Sequence, residues 1–330
     1  MSIPLRYAVI GTGAIGGYFG GRLAQAGSDV HFLLRSDYER VKQNGLVVES
    51  VDGDFTLAKV NAYNHPADMP PVDVVLIALK TTNNHKIAEL LPPLKPGSAI
   101  VCLQNGWGIE SAIAQHLKEH IKEQELTLEI IGGLCFIYAN KPKPGYIQHF
   151  GYGKLMLGAH NEQGLTCSIT PRIEAIAADF RAANIAVETT EDLPMARWRK
   201  LVWNVPYNGL SVVLNATTGE MMANSEVRSL IETLMQEVVT LANAWGDRQA
   251  TDGSQRHLPP ELIQQMLSIT AEVPAYDTSM KVDYDRQQPL EIEAILGNPL
   301  RVASELNIAV PAMTMVYQQL SFLNGRLETR

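Results

Sequence analysis

The sequence predicts a protein of the α/β class, with an N-terminal parallel-sheet domain followed by an all-helical C-terminal domain. Strand-like and helix-like segments alternate from the N terminus, and after Pro194 the strand signals fade while helical spacing continues to the end. A chain of 330 residues is also longer than one hydrophobic core usually organises. We therefore expect one domain over residues 1–190 and a second over residues 191–330.

The chain opens with the segments of a strand, a helix and a second strand. Arg6–Ile10 and Val30–Leu34 are short, mainly apolar runs, and Ile15–Ala26 between them has the length and spacing of a helix. Strand, helix and strand in this order form the βαβ unit that begins a parallel sheet.

Four further runs extend the predicted sheet. An Asp-Gly turn signal separates Leu46–Ser50 from Phe55–Val60 and predicts an antiparallel hairpin. Val72–Leu79 and Ala99–Leu103 are apolar and rich in β-branched residues, with helix-like segments between them.

The last part of the first domain runs from Leu128 to about Val187. Its pattern predicts further short strands and one helix, Pro171–Ala183. A loop rich in proline and glycine is expected at Lys141–Gly145. Beyond this domain, prolines punctuate the helical segments.

Composition excludes several classes of protein. A formal net charge of −8 argues against bulk binding of nucleic acid or an anionic membrane surface. Cys102, Cys135 and Cys167 are odd in number and far apart, so we expect buried thiols in a reducing cytoplasm, without disulfides or a metal site. The longest apolar run, Val74–Leu79, is too short to span a membrane. Met1–Ile10 lacks the pattern of a cleaved signal.

A glycine-rich loop connects the first strand to the first helix. It consists of Gly11, Thr12, Gly13, Ala14, Ile15 and Gly16. In this position glycines permit a tight turn and let main-chain amides approach a pyrophosphate at the helix N terminus. The loop and its βαβ context therefore predict a Rossmann-like domain that binds a dinucleotide. A glycine turn without a ligand is the ordinary alternative.

The end of the second strand bears on which dinucleotide is bound. NAD-binding domains place an acidic residue there to accept bonds from the ribose hydroxyls. This chain has Arg35, whose guanidinium can pair with a 2′-phosphate and so favours NADP(H). Asp37 lies two residues further on and leaves NAD open.

Two polar residues follow strands at the edge where ligands bind in open parallel sheets. Lys80 follows the apolar run Val74–Leu79, and Asn105 follows Ile100–Gln104 and precedes Gly106. A lysine that caps a strand in water and an Asn-Gly turn explain the same residues without a ligand.

A polar stripe is predicted on the first helix of the second domain. Lys200, Asn204 and Asn208 fall at i, i+4 and i+8 and share a helix face. Neighbouring Trp198 suggests that this face is buried, where an unpaired asparagine is unfavourable. Pro206 is expected to kink the helix, which would tilt Asn208 away.

Ser279 and Glu291 are candidates further along the chain. Ser279 is also explained as a helix N-cap, and Glu291 as an acid in the first turn of a helix.

In this order, the motifs resemble those of the ketopantoate reductase family over nearly the whole chain. The matching pieces are the glycine loop, Leu79-Lys80, Gln104-Asn105-Gly106, Arg199-Lys200-Leu201 with Asn204 and Asn208, Ser279-Met280 and Glu291-Ile292. The resemblance implies NADPH-dependent reduction of 2-dehydropantoate, a small 2-keto acid, to pantoate in pantothenate and coenzyme A biosynthesis.

The resemblance also implies roles for single residues. Lys200 would be the proton donor, with Glu291 as the second catalytic residue. Arg35 and Lys80 would hold the NADP phosphate, and Asn105 would touch both cofactor and substrate. The substrate pocket would consist of Asn105, Lys200, Asn204, Asn208, Thr218, Ser279 and Glu291. Ala139, expected in a loop after Tyr138, would offer its main chain to the cofactor.

Thr218 departs from the family pattern, which often has asparagine before the pair Gly219-Glu220. The departure keeps open a reductase of a different 2-keto acid on the same scaffold. A sensor that binds NADPH without catalysis is the alternative from another class. A helical C-terminal domain also permits a homodimer, although no residue requires one.

Overall fold

The structure is a computed structural model that describes residues 4–123, 127–250 and 255–328. Met1–Ile3, at the start of the segment examined for a signal, lie outside the described residues. The chain divides into two compact units. The first consists of Met1–Asn105 and Ile109–Leu193, and the second of Gly106–Gly108 and Pro194–Arg330. A loop of three residues inside the first half of the sequence therefore belongs to the second unit.

Ten strands within the described residues form one sheet in the first unit. They are β1 (Arg6–Ile10), β2 (Asp29–Leu33), β3 (Leu46–Ser50), β4 (Phe55–Leu57), β5 (Asn61–Tyr63), β6 (Val72–Ile77), β7 (Leu94–Cys102), β8 (Glu129–Lys143), β9 (Tyr146–Ala159) and β10 (Val187–Thr189). The helices of this unit are α1 (Ala14–Gln25), α2 (Tyr38–Asn44), α3 (Ile87–Leu90), α4 (Ile109–Glu123) and α5 (Pro171–Ala182). Short 3₁₀ turns cover Pro66–Asp68 and Thr81–Lys86.

The centre of the sheet is parallel, in the order β5-β2-β1-β6-β7-β8. From β1 the chain first builds outward through β2 and then returns to place β6 on the other side of β1. Strand order thus reverses between β1 and β6. In open α/β sheets the crevice beyond the carboxyl ends of such strands is where ligands bind.

The α/β class and the early elements are confirmed. β1 has the predicted bounds, and α1 and β2 each lie one residue earlier than predicted. The predicted hairpin is present, with β3 and β4 antiparallel. α1 packs closely on the sheet because two of its glycines leave room: a Cβ on Gly20 would lie 2.6 Å from Val9 Cγ2, and one on Gly17 2.6 Å from Ile147 Cδ1.

The prediction of short strands after Leu128 is wrong. β8 and β9 have 15 and 14 residues and form one long antiparallel hairpin. Gly151, Tyr152 and Gly153 lie inside β9, where Tyr152 has a φ of 65° and the ladder shifts register. The predicted loop at Lys141–Gly145 shrinks to a tight turn, because Lys141–Lys143 still belong to β8.

A buried polar cluster ties α1 to this hairpin. Arg22 Nη2 donates to Ser50 Oγ at 3.0 Å, and His149 Nδ1 lies 2.8 Å from the same oxygen. His149 Nε2 lies 3.0 Å from the carbonyl of Gly151, which only accepts, so Nε2 carries hydrogen and Nδ1 accepts from Ser50. Burial lowers the pKa of His149, and nearby Asp52 opposes that shift.

The rest of the described chain is helical, which confirms the predicted all-helical C-terminal part. The helices are α6 (Leu193–Val213), α7 (Thr218–Ala223), α8 (Ser225–Gln249), α9 (Leu262–Glu272), α10 (Ser279–Asp285), α11 (Asn298–Leu306) and α12 (Pro311–Glu328). A π-helical turn, Glu293–Gly297, runs directly into α11. No helix among the described residues is both long enough and apolar enough to cross a membrane.

Three tryptophans form the aromatic centre of the second unit. Trp107, from the loop Gly106–Gly108, stacks on Trp198 of α6 with ring centroids 4.2 Å apart. It also meets Trp245 of α8 edge-on at 5.1 Å. α6 continues through Pro206, so the proline does not end the helix as its lost N–H alone would suggest. Burial of this helix on the apolar core outweighs that local preference.

Candidate active-site residues in the two units

The glycine loop lies at the point where strand order reverses. Gly11 has a φ of 93°, and a Cβ there would lie 2.6 Å from the main-chain nitrogen of Leu79, which follows β6. A Cβ on Gly16 would lie 2.9 Å from Val9 Cγ1 and in hard contact with the carbonyl of Gly11. The two outer glycines are therefore required by the turn and by packing of the helix on β1.

Gly13 is different, because no heavy atom of a neighbouring described segment lies within 4 Å of the Cβ it would carry. It is the N-cap of α1, no side chain caps the helix, and the first turn has no acidic residue. The amide groups of that turn and the positive end of the helix dipole are thus left for an anion. This cradle fits the pyrophosphate of a dinucleotide.

Hydrogen bonds hold the ends of four strands beside this loop. Thr12 Oγ1 donates to the carbonyl of Leu33 at the end of β2, at 3.2 Å. The N–H of Ala78, after β6, donates to the carbonyl of Ile10 at 2.8 Å. Gln104 Nε2, after β7, donates to the carbonyl of Leu79 at 2.9 Å. The segments that carry Arg35, Lys80 and Asn105 are thereby brought to one edge of the sheet.

Gln104 is a positioning residue that the sequence reasoning missed. Its Nε2 also donates to Asn84 Oδ1 at 2.6 Å, so one buried amide joins the chain after β6 to the chain after β7. A polar residue at the end of an otherwise apolar run was the available signal. The neighbouring Asn105 Oδ1 is buried and has no hydrogen-bond partner among the described residues. A buried acceptor of this kind is usually satisfied by a ligand or water.

Asp37 and Arg35, the two candidates for contact with the ribose end of the dinucleotide, have different surroundings. Asp37 is buried, and its Oδ2 accepts from Lys141 Nζ at 2.7 Å and from the N–H of Gly145 at 3.2 Å. Burial raises the pKa of this carboxyl, but bonding to Lys141 outweighs burial and the net shift is downward. The Arg35 side chain is exposed, and its guanidinium forms no hydrogen bond or ion pair with another described residue, whereas its main-chain carbonyl accepts from the N–H of Tyr38 at 3.4 Å.

The expectation that Ala139 lies in a loop is wrong. It lies within β8 and pairs with His149 of β9, next to a shift in register. Its carbonyl and N–H therefore belong to a strand ladder, whose irregular register the sequence pattern does not reveal.

The polar stripe of α6 is present as predicted. Lys200 is half-buried, and Asn204 and Asn208 are buried. Asn204 Nδ2 has no hydrogen-bond partner within the described part of the chain. Because a buried amide donor left unpaired is unfavourable, this atom marks a place for a ligand acceptor or a water.

Asn208 is brought together with Ser279, despite the kink expected at Pro206. Asn208 Oδ1 accepts from Ser279 Oγ at 3.3 Å and from the N–H of Met280 at 3.3 Å. The N-cap of α10 is Thr278, whose side chain accepts from the N–H of Lys281. The explanation of Ser279 as an N-cap is therefore wrong by one residue, and its exposed hydroxyl belongs to the first turn.

Thr218 is almost fully buried and its hydroxyl has partners within the protein. Oγ1 donates to the carbonyl of Tyr276 at 3.3 Å and accepts from the N–H of Tyr276 at 3.1 Å. The fold also explains the identities of the next two residues. A Cβ on Gly219 would lie 2.5 Å from Ala275 Cβ, and Glu220 completes a capping box with Thr217. A substrate contact of Thr218 stays a prediction.

Glu291 is buried directly before the helical turn that begins at Ile292. Its carbonyl accepts from the N–H of Ile295, four residues later, at 3.2 Å, an α-type bond that precedes the π-helical turn Glu293–Gly297. The sequence placed it within a first turn, one residue too far into the helix.

The cysteines are all free thiols. Cys102 and Cys135 are buried as expected, whereas Cys167 is half-exposed, which corrects the expectation for that residue. No group of three histidine, cysteine or acidic side chains within the described residues is arranged to hold a metal ion.

Comparison with known proteins finds one family across both units. The pattern of "Ketopantoate reductase PanE/ApbA" matches residues 7–162, and that of its C-terminal part matches residues 192–324. A 2-dehydropantoate 2-reductase of Nostoc sp. is 51% identical over 325 residues, covering 98% of this chain and 97% of the relative.

Solved structures show the same likeness. The crystal structure of 2-dehydropantoate 2-reductase from Geobacter metallireducens is 38% identical, covers 96% of this chain and 99% of its own, and has a TM-score of 0.85. The corresponding enzyme of Methylococcus capsulatus is 33% identical over 98% of both chains, with a TM-score of 0.82. This chain therefore belongs to the ketopantoate reductase family.

Proposed function

We propose that the chain is an NADPH-dependent reductase that converts 2-dehydropantoate (ketopantoate) to pantoate. The observation that carries this proposal is the stripe on α6, where a half-buried lysine lies in line with two buried asparagines, one of which has an unpaired Nδ2 among the described residues. The full-length relative from Nostoc, named for this activity, supports it.

The first unit supplies the groups that bind the cofactor. The open amide groups of α1 beside Gly13 receive the pyrophosphate, and Asn105 Oδ1 offers a buried acceptor. Arg35 pairs with the 2′-phosphate that distinguishes NADP from NAD, together with Lys80. The Asp37 carboxylate is bonded to Lys141 and Gly145, which hold it against the hairpin turn and favour Arg35 as the residue that recognises the ribose end. When bound, the cofactor supplies a hydride to the ketone carbon.

Lys200 supplies the other half of the chemistry. Negative charge develops on the ketone oxygen as the carbon is reduced, and an ammonium group at that oxygen stabilises the charge and donates the proton. A positioned general acid of this kind contributes about 10²–10⁴-fold in rate.

Recognition of the substrate is assigned to the remaining groups. Ser279, whose hydroxyl is exposed at the start of α10 and bonded to Asn208, binds the carboxylate. Asn204 Nδ2 donates to a substrate oxygen, and Glu291 accepts a bond from the substrate hydroxyl. An analogue without that hydroxyl loses this bond, and we expect a lower kcat/KM for it.

The test is loss of NADPH absorbance with ketopantoate and a panel of other 2-keto acids. The native chain is compared with Lys200→Ala and with Lys118→Ala, an exposed lysine of α4. We expect ketopantoate to be preferred and turnover to fall by about 10²–10⁴-fold in Lys200→Ala only. Preference for another keto acid would show that ketopantoate is not the substrate. NADPH binding without any turnover would favour a sensor.

We further propose that the chain forms a homodimer. Met315 and Phe322 are seven residues apart on one face of α12 and are 60% and 68% exposed. Large apolar side chains exposed together often mark a protein interface. A dimeric ketopantoate reductase from Staphylococcus aureus has the same fold, with 22% identity and a TM-score of 0.75. Light scattering of the native chain and of Phe322→Ser tests this: a native monomer would contradict it.

A further inference from the structure

The π-helical turn after Glu291 has one carbonyl that its own helix does not satisfy. In this turn the N–H of Asn298 donates to the carbonyl of Glu293, five residues earlier. In the same register the carbonyl of Ala294 would be paired with residue 299, which is Pro299 and has no N–H. The partner of that carbonyl must come from elsewhere.

The loop Gly106–Gly108 supplies it. The N–H of Trp107 donates to the carbonyl of Ala294 at 2.8 Å, and Asn298 Nδ2 donates to the carbonyl of Trp107 at 2.7 Å. The main chain of Trp107 is therefore held by two bonds to one helical segment. The approach requires glycine at 106, where φ is 113° and a Cβ would lie 2.5 Å from the Ala294 carbonyl oxygen.

Three side chains fix the direction of the Asn298 amide. Arg301 donates to Asn298 Oδ1, which leaves Nδ2 facing Trp107. Arg301 Nη1 also donates to Glu293 Oε2 at 2.9 Å, and the Tyr317 hydroxyl donates to Glu293 Oε1 at 2.6 Å. A Cβ on Gly297 would collide with that Glu293 carboxylate, so the turn has room for this network only with glycine there.

The change from π to α register after Glu291 determines the direction of the Glu291 side chain. A π turn contains one residue more than the α turn it replaces, and one residue corresponds to about 100° of rotation around a helix. If the turn relaxed to α register, Glu291 would rotate by about that angle relative to α11, whose Pro299 and Ala303 are anchored by burial.

We propose that Asn298 is a positioning residue, which, through the main chain of Trp107, holds the π-helical turn in the register that directs Glu291. Its consequence for catalysis rests on the proposed function, in which Glu291 accepts a bond from the substrate hydroxyl. Loss of the amide then reduces discrimination between ketopantoate and trimethylpyruvate, which has a methyl group in place of the hydroxymethyl.

Two variants and one matched control test the proposal. Asn298→Ala removes the bond to Trp107. Pro299→Ala gives Ala294 a competing N–H within its own helix without removing any hydrogen-bonding side chain. Asn243→Ala removes a comparable bond in the same unit, in which the N–H of Leu258 donates to Asn243 Oδ1 at 2.8 Å. The measurements are hydrogen exchange of the peptide 290–299 and the ratio of kcat/KM for the two keto acids.

We expect both variants to speed exchange in peptide 290–299 by about 5- to 20-fold and to lower the selectivity ratio by about tenfold, whereas Asn243→Ala changes neither. Unchanged exchange and selectivity in an active Asn298→Ala protein would overturn the positioning role and leave the proposed function standing. If the native chain reduces no keto acid, the proposed function fails, and exchange alone decides whether Asn298 holds the turn.

Discussion

Gly13→Ala separates binding of the dinucleotide from stability of the fold. The backbone at Gly13, with φ −84° and ψ −156°, suits any residue, and the Cβ would meet no heavy atom of a neighbouring segment within 4 Å. Alanine is a poorer N-cap than glycine, so the free energy of unfolding should fall by only about 1 kcal/mol. The added methyl group would instead occupy the space that the pyrophosphate needs.

The expected loss of affinity follows from the bonds at stake. A phosphate oxygen bonded to a main-chain N–H lies about 2.9 Å from the nitrogen, where a Cβ on the same loop excludes it. Losing two bonds from amide groups to a charged phosphate removes about 3–6 kcal/mol, or 10²–10⁴-fold in Kd. Gly16→Ala should instead affect mainly stability. Its Cβ would meet Val9 and the carbonyl of Gly11 and destabilise the fold by about 1–3 kcal/mol or more.

The assay combines urea unfolding with fluorescence titration of NADPH. Gly151→Ala is the matched control, since a Cβ there also meets nothing within 4 Å and Gly151 lies far from the loop in sequence. Native affinity for NADPH in a folded Gly13→Ala protein would refute the assignment of the loop.

Three further predictions follow from single contacts. Arg35→Ala should raise Kd for NADPH by about 10–100-fold and leave NADH binding unchanged. Both cofactors are titrated, with Arg40→Ala as the control variant. Equal losses of affinity for NADPH and NADH would show that Arg35 does not bind the 2′-phosphate. Burial lowers the pKa of His149, so the unfolded state binds the proton more readily and the free energy of unfolding should fall as pH drops below about 6.5. Urea unfolding between pH 7.5 and 5 should show a shallower loss of stability in His149→Gln. An unchanged slope would exclude His149 as the source of the loss. Thr218→Val removes the side-chain acceptor of the N–H of Tyr276 and should lower the free energy of unfolding by about 1–3 kcal/mol with little change in KM for the keto acid. A raised KM at unchanged stability would show a substrate contact instead.

Local pattern was sufficient where one physical rule dominates. β1 and the glycine loop obey the requirements of a buried strand that leads into a helix N terminus, and the stripe of α6 obeys helical periodicity. These features depend on neighbours within a few residues, so the sequence contains them directly.

Features that depend on distant partners were beyond the sequence. β9 continues past Tyr152 because it pairs with β8 through a shift in register, and this pairing is not visible in the local sequence. The bonds of Asp37 to Lys141 and Gly145 join residues 104 and 108 positions apart, which no local pattern reveals. The partner of Thr218 is 58 residues away, and no spacing rule links it to Tyr276.

The three-residue loop Gly106–Gly108 limits how far the two units are separate modules. Residues 194–330 expressed alone would lack Trp107, exposing ring faces of Trp198 and Trp245 and leaving the Ala294 carbonyl without its donor. During synthesis this loop leaves the ribosome long before the helices that it packs against. The helical unit can therefore complete its core only by binding a segment that was made earlier. Exchange of C-terminal halves between relatives should therefore succeed only when the loop is exchanged with them.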